Sequence, residues 1–187
     1  MLFVWIEIQK EIAEIAVKNV EINGFSEKID VICRDIREKD VSMNGAFGVV
    51  FSNPPYMKTD SGKANVYDEK NIARHEVCGD IRDFCIAAKR LLKFGGVFAV
   101  VYRPDRLCDL FSAMRESTLE PKRITFVHAD TRAEPSMALV EAKKGGRCGL
   151  MVTKPLIIYA DMTHTDYSDD MNYIMENGSF PEKFTRR

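Results

Sequence analysis

The segment VVFSNPPYMK, residues 49–58, places an asparagine, two prolines and a tyrosine directly behind an apolar run. Each proline fixes its own φ and restricts the preceding residue to extended geometry, so Asn53 is held in a rigid loop. The Asn53 side-chain oxygen and the Pro54 carbonyl can then accept both N–H groups of a planar amine. Those two hydrogen bonds would aim the nitrogen lone pair at an electrophile, which is catalysis by positioning and needs no strong base.

Tyr56 completes the motif, because its ring offers a face on which a base turned out of its stack can lie. Such stacking contributes roughly 1–3 kcal/mol per base. The electrophile that suits this arrangement is a methyl sulfonium held in line with the amine. The predicted catalytic residues are therefore Asn53, Pro54, Pro55 and Tyr56. The alternative is an ordinary Asn-Pro turn that ends a strand.

Two acidic residues, Glu7 and Asp35, follow two other apolar runs. In open α/β sheets ligands bind beyond the carboxyl ends of the strands, and an acid there can accept hydrogen bonds from ribose hydroxyls. Glu7 is placed for the ribose and Asp35 for the adenine end of the same ligand. The predicted cofactor-binding residues are Glu7, Ile8, Asp35, Ile36 and Asn53. Alternatively, each acid only complements the dipole of a helix N-terminus.

Helices between strands must position these residues. Apolar residues recur at helical spacing from Ile8 to Asn23, where Gly24 suits a left-handed cap. The same period returns after Asp80, a predicted N-cap, and we expect this second helix to stop at Gly95–Gly96. The segment DRLCDLFSAMRES predicts a third amphipathic helix.

Short apolar or β-branched runs predict the strands. The run from Met1 to Ile6 and the run that ends before Asn53 favour strands buried inside a sheet. Further strands are predicted in KIDVICRD, VFAVVYRP, RITFVHA, SMALVEAKK and LIIYA. Because strands and helices alternate until the last strands, we expect an α/β fold with a mostly parallel sheet and antiparallel C-terminal strands.

Composition limits the class of protein. The 187 residues, 45% hydrophobic and 29% charged, fit one globular domain. With 27 basic and 28 acidic residues the net charge is −1, so no overall field draws the chain to nucleic acid or membrane. The five cysteines are odd in number and form no C-x-x-C pair, which predicts buried thiols in a reducing cytoplasm, with neither disulfides nor metal. We expect a cytoplasmic protein without a membrane span.

Charge changes sign late in the chain. Residues 122–154 include seven basic and three acidic residues, whereas residues 155–182 include six acidic and no basic ones. The first stretch either contacts phosphate or is an ordinary solvated surface, and the sequence gives these interpretations equal weight.

The sequence around N-P-P-Y resembles the S-adenosylmethionine-dependent amino-methyltransferases, with FGVVFS before it and IEIQKEIAEIAVKNVEING upstream. The segments NIARHE, AAKRLLKFGGVFAVVYRPDRL, EPKRITFVHA and ALVEAKKGG are more similar to the bacterial family that methylates N6 of an adenine beside the anticodon of valine tRNA. N-P-P-Y is shared with DNA adenine and protein glutamine methyltransferases, but the flanking segments favour the tRNA family. The resemblance extends from about Val4 to Tyr159.

This resemblance implies a Rossmann-like class I methyltransferase domain over residues 1–160, with a tail that includes a short helix over residues 161–187. It implies S-adenosyl-L-methionine as the cofactor and tRNA as the partner. Glu7 would hold the ribose, Asp35 the cofactor adenine, and N-P-P-Y the target amine and base. Arg74 and His75 belong to the family segment ARHE, and either face RNA or form a network at the start of a helix.

The family pattern begins with a strand and a glycine-rich turn of the type D-x-G-x-G-x-G, which this sequence lacks. We therefore expect an N-terminally truncated member, in which Met1 is an internal methionine or a mis-assigned start. Its sheet should show either a gap or an abnormal pairing of Val4–Ile6 with Val49–Phe51, leaving an exposed edge. Its affinity for the cofactor should be severely weakened.

Two other functions fit the same residues. A glutamine-N5 methyltransferase of protein release factors would use N-P-P-Y on a planar amide. A catalytically inactive remnant would at most bind tRNA. The sequence leaves the modified adenine and the oligomeric state open.

Overall fold

The computed structural model describes residues 3–54 and 79–184. The strands in this part are β1 (Phe3–Glu7), β2 (Ile29–Cys33), β3 (Phe47–Ser52), β4 (Leu92–Tyr102), β5 (Leu119–His128), β6 (Pro135–Lys144), β7 (Met151–Val152) and β8 (Leu156–Ile157). The α-helices are α1 (Lys10–Ile22), α2 (Ile81–Leu91), α3 (Leu107–Glu116) and α4 (Asp169–Asn177). No helix in these ranges is both long and apolar enough to cross a bilayer.

The strands form two sheets. β1 and β2 are a parallel pair, whereas the larger sheet has the order β3-β4-β6-β5-β7, with β8 also pairing with β5. β3 runs parallel to β4, and β6 lies antiparallel between β4 and β5. The predicted α/β fold with antiparallel strands near its C-terminal end is confirmed. Within the described residues β1 and β3 do not pair, so the sheet shows a gap rather than the abnormal pairing.

Local signals set the ends of the first two long helices. Asp80 caps α2 through its side chain, which accepts from the backbone N–H groups of Arg82 at 2.8 Å and Asp83 at 3.1 Å. The Asp83 carboxylate accepts from the Asp80 N–H in return, at 3.0 Å, which completes a capping box. Gly24 follows α1 with a φ of 71°, as predicted for a left-handed position.

The predicted stop of α2 at Gly95–Gly96 is wrong. The helix ends at Leu91, and both glycines lie inside β4. Gly96 is needed there for close approach, because a Cβ atom at this position would lie 3.0 Å from the carbonyl oxygen of Gly48 in β3.

The main core lies between the larger sheet and the helices α2 and α3. Its apolar side chains interlock from both layers and exclude water, which is the dominant stabilising term in folding. The fully buried members with large side chains are Phe98, Leu92, Leu110, Met114, Leu119, Val140 and Cys85.

The outer strands contradict the expectation of full burial. Trp5 in β1 is 50% exposed and Phe51 in β3 is 76% exposed. Each of these strands has a single partner strand in the described part of the chain, so one edge and much of one face remain in contact with solvent. Three of the cysteines, Cys33, Cys108 and Cys148, are also exposed, contrary to prediction.

The C-terminal segment packs on the larger sheet. Its predicted short helix is confirmed as α4, which Ser168 caps and Gly178 ends in left-handed geometry. Phe184 is only 2% exposed and packs in a small cluster with Val127 and Leu156. The predicted strand LIIYA is reduced to β8.

We predict that Phe98→Ala lowers the free energy of unfolding by about 3–5 kcal/mol, because Phe98 is fully buried and its loss leaves a cavity. Phe94→Ala is the matched control: the residue lies in the same strand but is 83% exposed, so the expected change is within about 0.5 kcal/mol. Urea unfolding monitored by circular dichroism measures both. Equal losses would contradict this assignment of the core.

Candidate functional site

Parallel pairing brings the two predicted cofactor acids to one edge of the smaller sheet. Glu7, the last residue of β1, stands opposite Cys33, the last residue of β2. Asp35 does not end β2 as the sequence suggested, but follows two residues later in a turn. The backbone N–H of Arg34 donates to the Glu7 carbonyl at 2.9 Å, which continues the pairing beyond the strand ends.

Glu7 also organises the start of α1. One of its carboxylate oxygens accepts the backbone N–H of Gln9 at 2.8 Å, just before the first turn of that helix. The hydrogen bond fixes the side chain beside the strand end, where a bound hydroxyl group would meet a carboxylate already oriented by the fold. Ile8, the neighbouring predicted residue, lies in the connection between β1 and α1.

Asp35 forms a bidentate ion pair with Arg37. Its carboxylate accepts from Arg37 Nε at 2.9 and 3.0 Å and from Nη2 at 2.6 Å, and also from the Arg37 backbone N–H at 2.8 Å. The side-chain hydrogen bonds lower the pKa of Asp35, although partial desolvation opposes them. Sequence reasoning missed Arg37, and its only signal was the D-x-R spacing.

Helix α2 also holds the turn after β2, through the side chain of Arg90. Arg90 donates from Nη2 to the carbonyl of Ile36 at 3.1 Å and from Nη1 to the carbonyl of Asp40 at 3.4 Å. Its own carbonyl accepts the N–H of Gly45 at 2.9 Å. Arg90 therefore ties the predicted adenine-side residues to the main core, and sequence reasoning did not single it out.

Asp40 closes the same turn. Hydrogen bonds from Ser42 and the guanidinium of Arg34 lower the pKa of Asp40 to about 2. The carboxylate is therefore charged at neutral pH and keeps Arg34 beside the strand end. Together with Arg90 and Arg37, these contacts give the turn a fixed hydrogen-bonding frame.

The predicted catalytic motif begins at the end of β3, where Ser52 pairs with Val100 in β4. Asn53 is exposed and Pro54 is buried. The other predicted residues, Pro55, Tyr56, Arg74 and His75, lie outside the described residues. The structure thus brings Glu7 and Asp35 together on one strand pair and places Asn53 at a strand end of the other sheet.

A cluster that the sequence did not indicate lies beyond β5. Since β6 is antiparallel to both β4 and β5, β5 ends at the same edge as Asn53. Asp130, 8% exposed, accepts from His164 Nε2 at 3.0 Å and from two backbone N–H groups of its own loop. The His164 ring stacks on Tyr159 at 4.6 Å between centroids. These contacts fix the C-terminal segment beside this edge of the sheet.

We predict that Arg37→Gln raises the pKa of Asp35 towards its ordinary value of 3.8, because it removes the bidentate partner. The pKa is lowered in the folded chain, so the stabilisation from this pair is present above the unfolded pKa and is lost as the pH falls through the folded one. Carbon-detected NMR titration of the carboxylate measures the shift. The control Arg103→Gln removes an equivalent pair with Asp105 and should leave Asp35 unchanged. An unaltered titration in Arg37→Gln would contradict the assignment.

Curated relatives of this chain share one name. The chain is 32% identical over 138 residues to the tRNA1(Val) (adenine(37)-N6)-methyltransferase of Phocaeicola vulgatus, which covers 74% of this chain and 57% of that protein. It is 30% identical over 139 residues to the protein of the same name from Porphyromonas gingivalis W83, covering 73% and 54%. The chain thus spans a little over half the length of these relatives. No protein-family model matches it.

Solved structures share the fold. One described as a predicted O-methyltransferase from Agrobacterium tumefaciens superposes with a TM-score of 0.74 at 21% identity, covering 95% of this chain and 78% of the other. Another, assigned to the class I S-adenosylmethionine-dependent methyltransferases of Listeria monocytogenes, gives a TM-score of 0.58 at 13% identity, covering 93% and 54%. The chain is accordingly a homologue of the proteins named tRNA1(Val) (adenine(37)-N6)-methyltransferase, with the fold of a class I S-adenosylmethionine-dependent methyltransferase.

Proposed function

We propose that this chain transfers a methyl group from S-adenosyl-L-methionine to the exocyclic N6 of an adenine in tRNA. The proposed target is the adenine beside the anticodon of valine tRNA. The observation that carries the proposal is the Asn-Pro-Pro-Tyr motif, which starts directly at the carboxyl end of β3. The names of the curated relatives support an adenine amine in tRNA as the acceptor.

The described residues fit the cofactor by the chemistry of their side chains. Glu7 and Asp35 are acceptors at neighbouring strand ends, matching ribose hydroxyl and adenine amino donors. Arg37 already occupies both Asp35 oxygens, so an adenine amine would have to share or replace one of its hydrogen bonds. The backbone at Ile8 and Ile36 lines the same edge. When bound, the cofactor supplies the electrophilic methyl group.

The chain's own contribution to the reaction is positioning. Asn53 follows a strand with a fixed partner and precedes two prolines, so its backbone is held with little conformational freedom. Together with the Pro54 carbonyl it accepts the two amino hydrogens of the target adenine and orients the lone pair. Tyr56 stacks on the base. The amino proton leaves only after methylation, when the nitrogen has become acidic, so no strong base is required.

We predict that Asn53→Ala lowers methyl transfer to unmodified tRNA by about 100-fold or more, because the acceptor that orients the amine is lost. Incorporation of tritiated methyl groups, followed by nucleoside chromatography for N6-methyladenosine, measures the effect. Asn19→Ala, an exposed asparagine in α1, is the matched control and should retain full activity. Transfer to release-factor glutamine instead of tRNA would contradict the proposal and favour the glutamine enzyme.

We also predict that Glu7→Gln weakens binding of S-adenosylmethionine by about 10-fold or more, since a hydrogen bond to a charged acceptor contributes roughly 1.5–3 kcal/mol. Isothermal calorimetry on the 187-residue chain measures the affinity, and Glu11→Gln in the first turn of α1 is the control. Equal affinities in the two variants would rule out Glu7 as the ribose acceptor. Absence of binding by the unaltered chain would show that residues 1–187 do not suffice to hold the cofactor.

A further inference from the structure

Basic residues collect at the opposite edge of the larger sheet, around the amino end of β4. The patch consists of Phe94, Lys122, Lys143 and Arg147, and is called the amino-edge patch below. Its members come from β4, β5, β6 and the turn after β6. All except Lys122, which is half-buried, are exposed.

Strand pairing and one glycine contact bring these side chains together. Lys143 is in register with Val97 of β4 on one side and with Glu120 of β5 on the other. The ring of Phe94 lies against Gly145, where a Cβ atom would overlap it. In addition, Lys122 Nζ donates to the carbonyl of Arg147 at 2.9 Å. The patch is therefore a property of the fold and not of one charged segment.

Among the residues that the structure describes, no carboxylate forms an ion pair with the cations of the amino-edge patch. None of its lysines, and not Arg147, lies in an ion pair within the described part of the chain. Glu120, the acid that faces Lys143 across the strand pair, is bound to Arg115 at 3.0 Å. By contrast, Arg103 and Arg106 beyond the other end of β4 are both paired with aspartates. The positive potential of this patch is thus available to an external anion.

Phe94 adds an aromatic face among these charges. It is 83% exposed, the highest value among the large apolar side chains of the described residues. The side chain contacts Gly145 and is otherwise largely exposed to solvent. Cationic side chains that track phosphates, together with an open aromatic ring that stacks on a base, are the two elements used to bind single-stranded nucleic acid.

We propose that the amino-edge patch is a second RNA contact, which binds phosphates through its lysines and Arg147 and stacks an unpaired base on Phe94. This inference rests on the proposed RNA substrate. Asn53 follows Ser52, which is opposite Val100, whereas Phe47 is opposite Leu92, two residues before Phe94. Five residue steps of β3 separate Phe47 from Ser52, about 17 Å at 3.3 Å per residue. A nucleic acid duplex carries about ten phosphate charges over this length, so one folded RNA reaches both places.

The test is the salt dependence of tRNA binding, measured by fluorescence anisotropy on the full 187-residue chain without a methyl donor. The double variant Lys143→Ser/Arg147→Ser should lower the slope of log K against log salt by about 0.7–0.9 for each phosphate that is no longer bound. Phe94→Ala should weaken binding about 5- to 100-fold with an unchanged slope, because stacking carries no charge. The controls are Lys18→Ser/Lys28→Ser, which removes the same charge from exposed positions, and Ile22→Ala, which is 82% exposed.

Equal effects of the patch variants and their controls would overturn the inference, since only net charge and apolar area would then matter. It would also be overturned by absence of tRNA binding, or by binding to vesicles of 30% phosphatidylserine that depends on Phe94 and Lys143 while tRNA binding does not. Methyl-transfer assays separate the two proposals. Patch-dependent tRNA binding without any methylation of tRNA would contradict the proposed function and support the RNA contact. Methylation of tRNA together with tRNA binding that does not depend on the patch would support the proposed function and contradict the RNA contact.

Discussion

Parallel main-chain pairing is the constraint on which the rest of this structure depends. Hydrogen bonds between neighbouring parallel strands force both chains to run the same way, so their carboxyl ends meet at one edge. That edge collects Glu7 and Asp35 in the smaller sheet. In the larger sheet, the antiparallel β6 lies between β4 and β5 and so keeps those two strands codirectional, which places Asp130 at the same edge as Asn53.

Beyond the end of β2, arginine side chains rather than strand pairing hold the chain in place. Arg90 reaches from α2 to the carbonyls of the turn after β2, and Arg37 holds the carboxylate of Asp35. Planar guanidinium groups suit this task because they donate several hydrogen bonds in a fixed geometry. A ligand that bound Asp35 would have to compete with Arg37 for the lone pairs of its carboxylate.

The near-neutral net charge conceals a separation of charge across the fold. Among the described residues, cations without an ion-pair partner lie at the amino edge of β4. Residues 155–182, beside the carboxyl edge, are acidic and are anchored there by the hydrogen bond between Asp130 and His164. An RNA bound at both edges would meet a favourable field at the first and an unfavourable one at the second. Salt screens the interactions of exposed charges beyond about 10 Å. The position of each charged group therefore matters more for binding than the net charge of the chain.

The sequence by itself determined the features that depend on neighbouring residues: the cap at Asp80, the left-handed Gly24, and the order of strands and helices. These follow from backbone geometry and side-chain period, which act over a few positions. The tertiary structure alone decided which strand faces are buried, the capture of Asp35 by Arg37, and the grouping of basic side chains around β4. Burial and charge pairing depend on which strand or turn becomes the neighbour, and the pairing of β6 with β4 joins residues far apart along the chain.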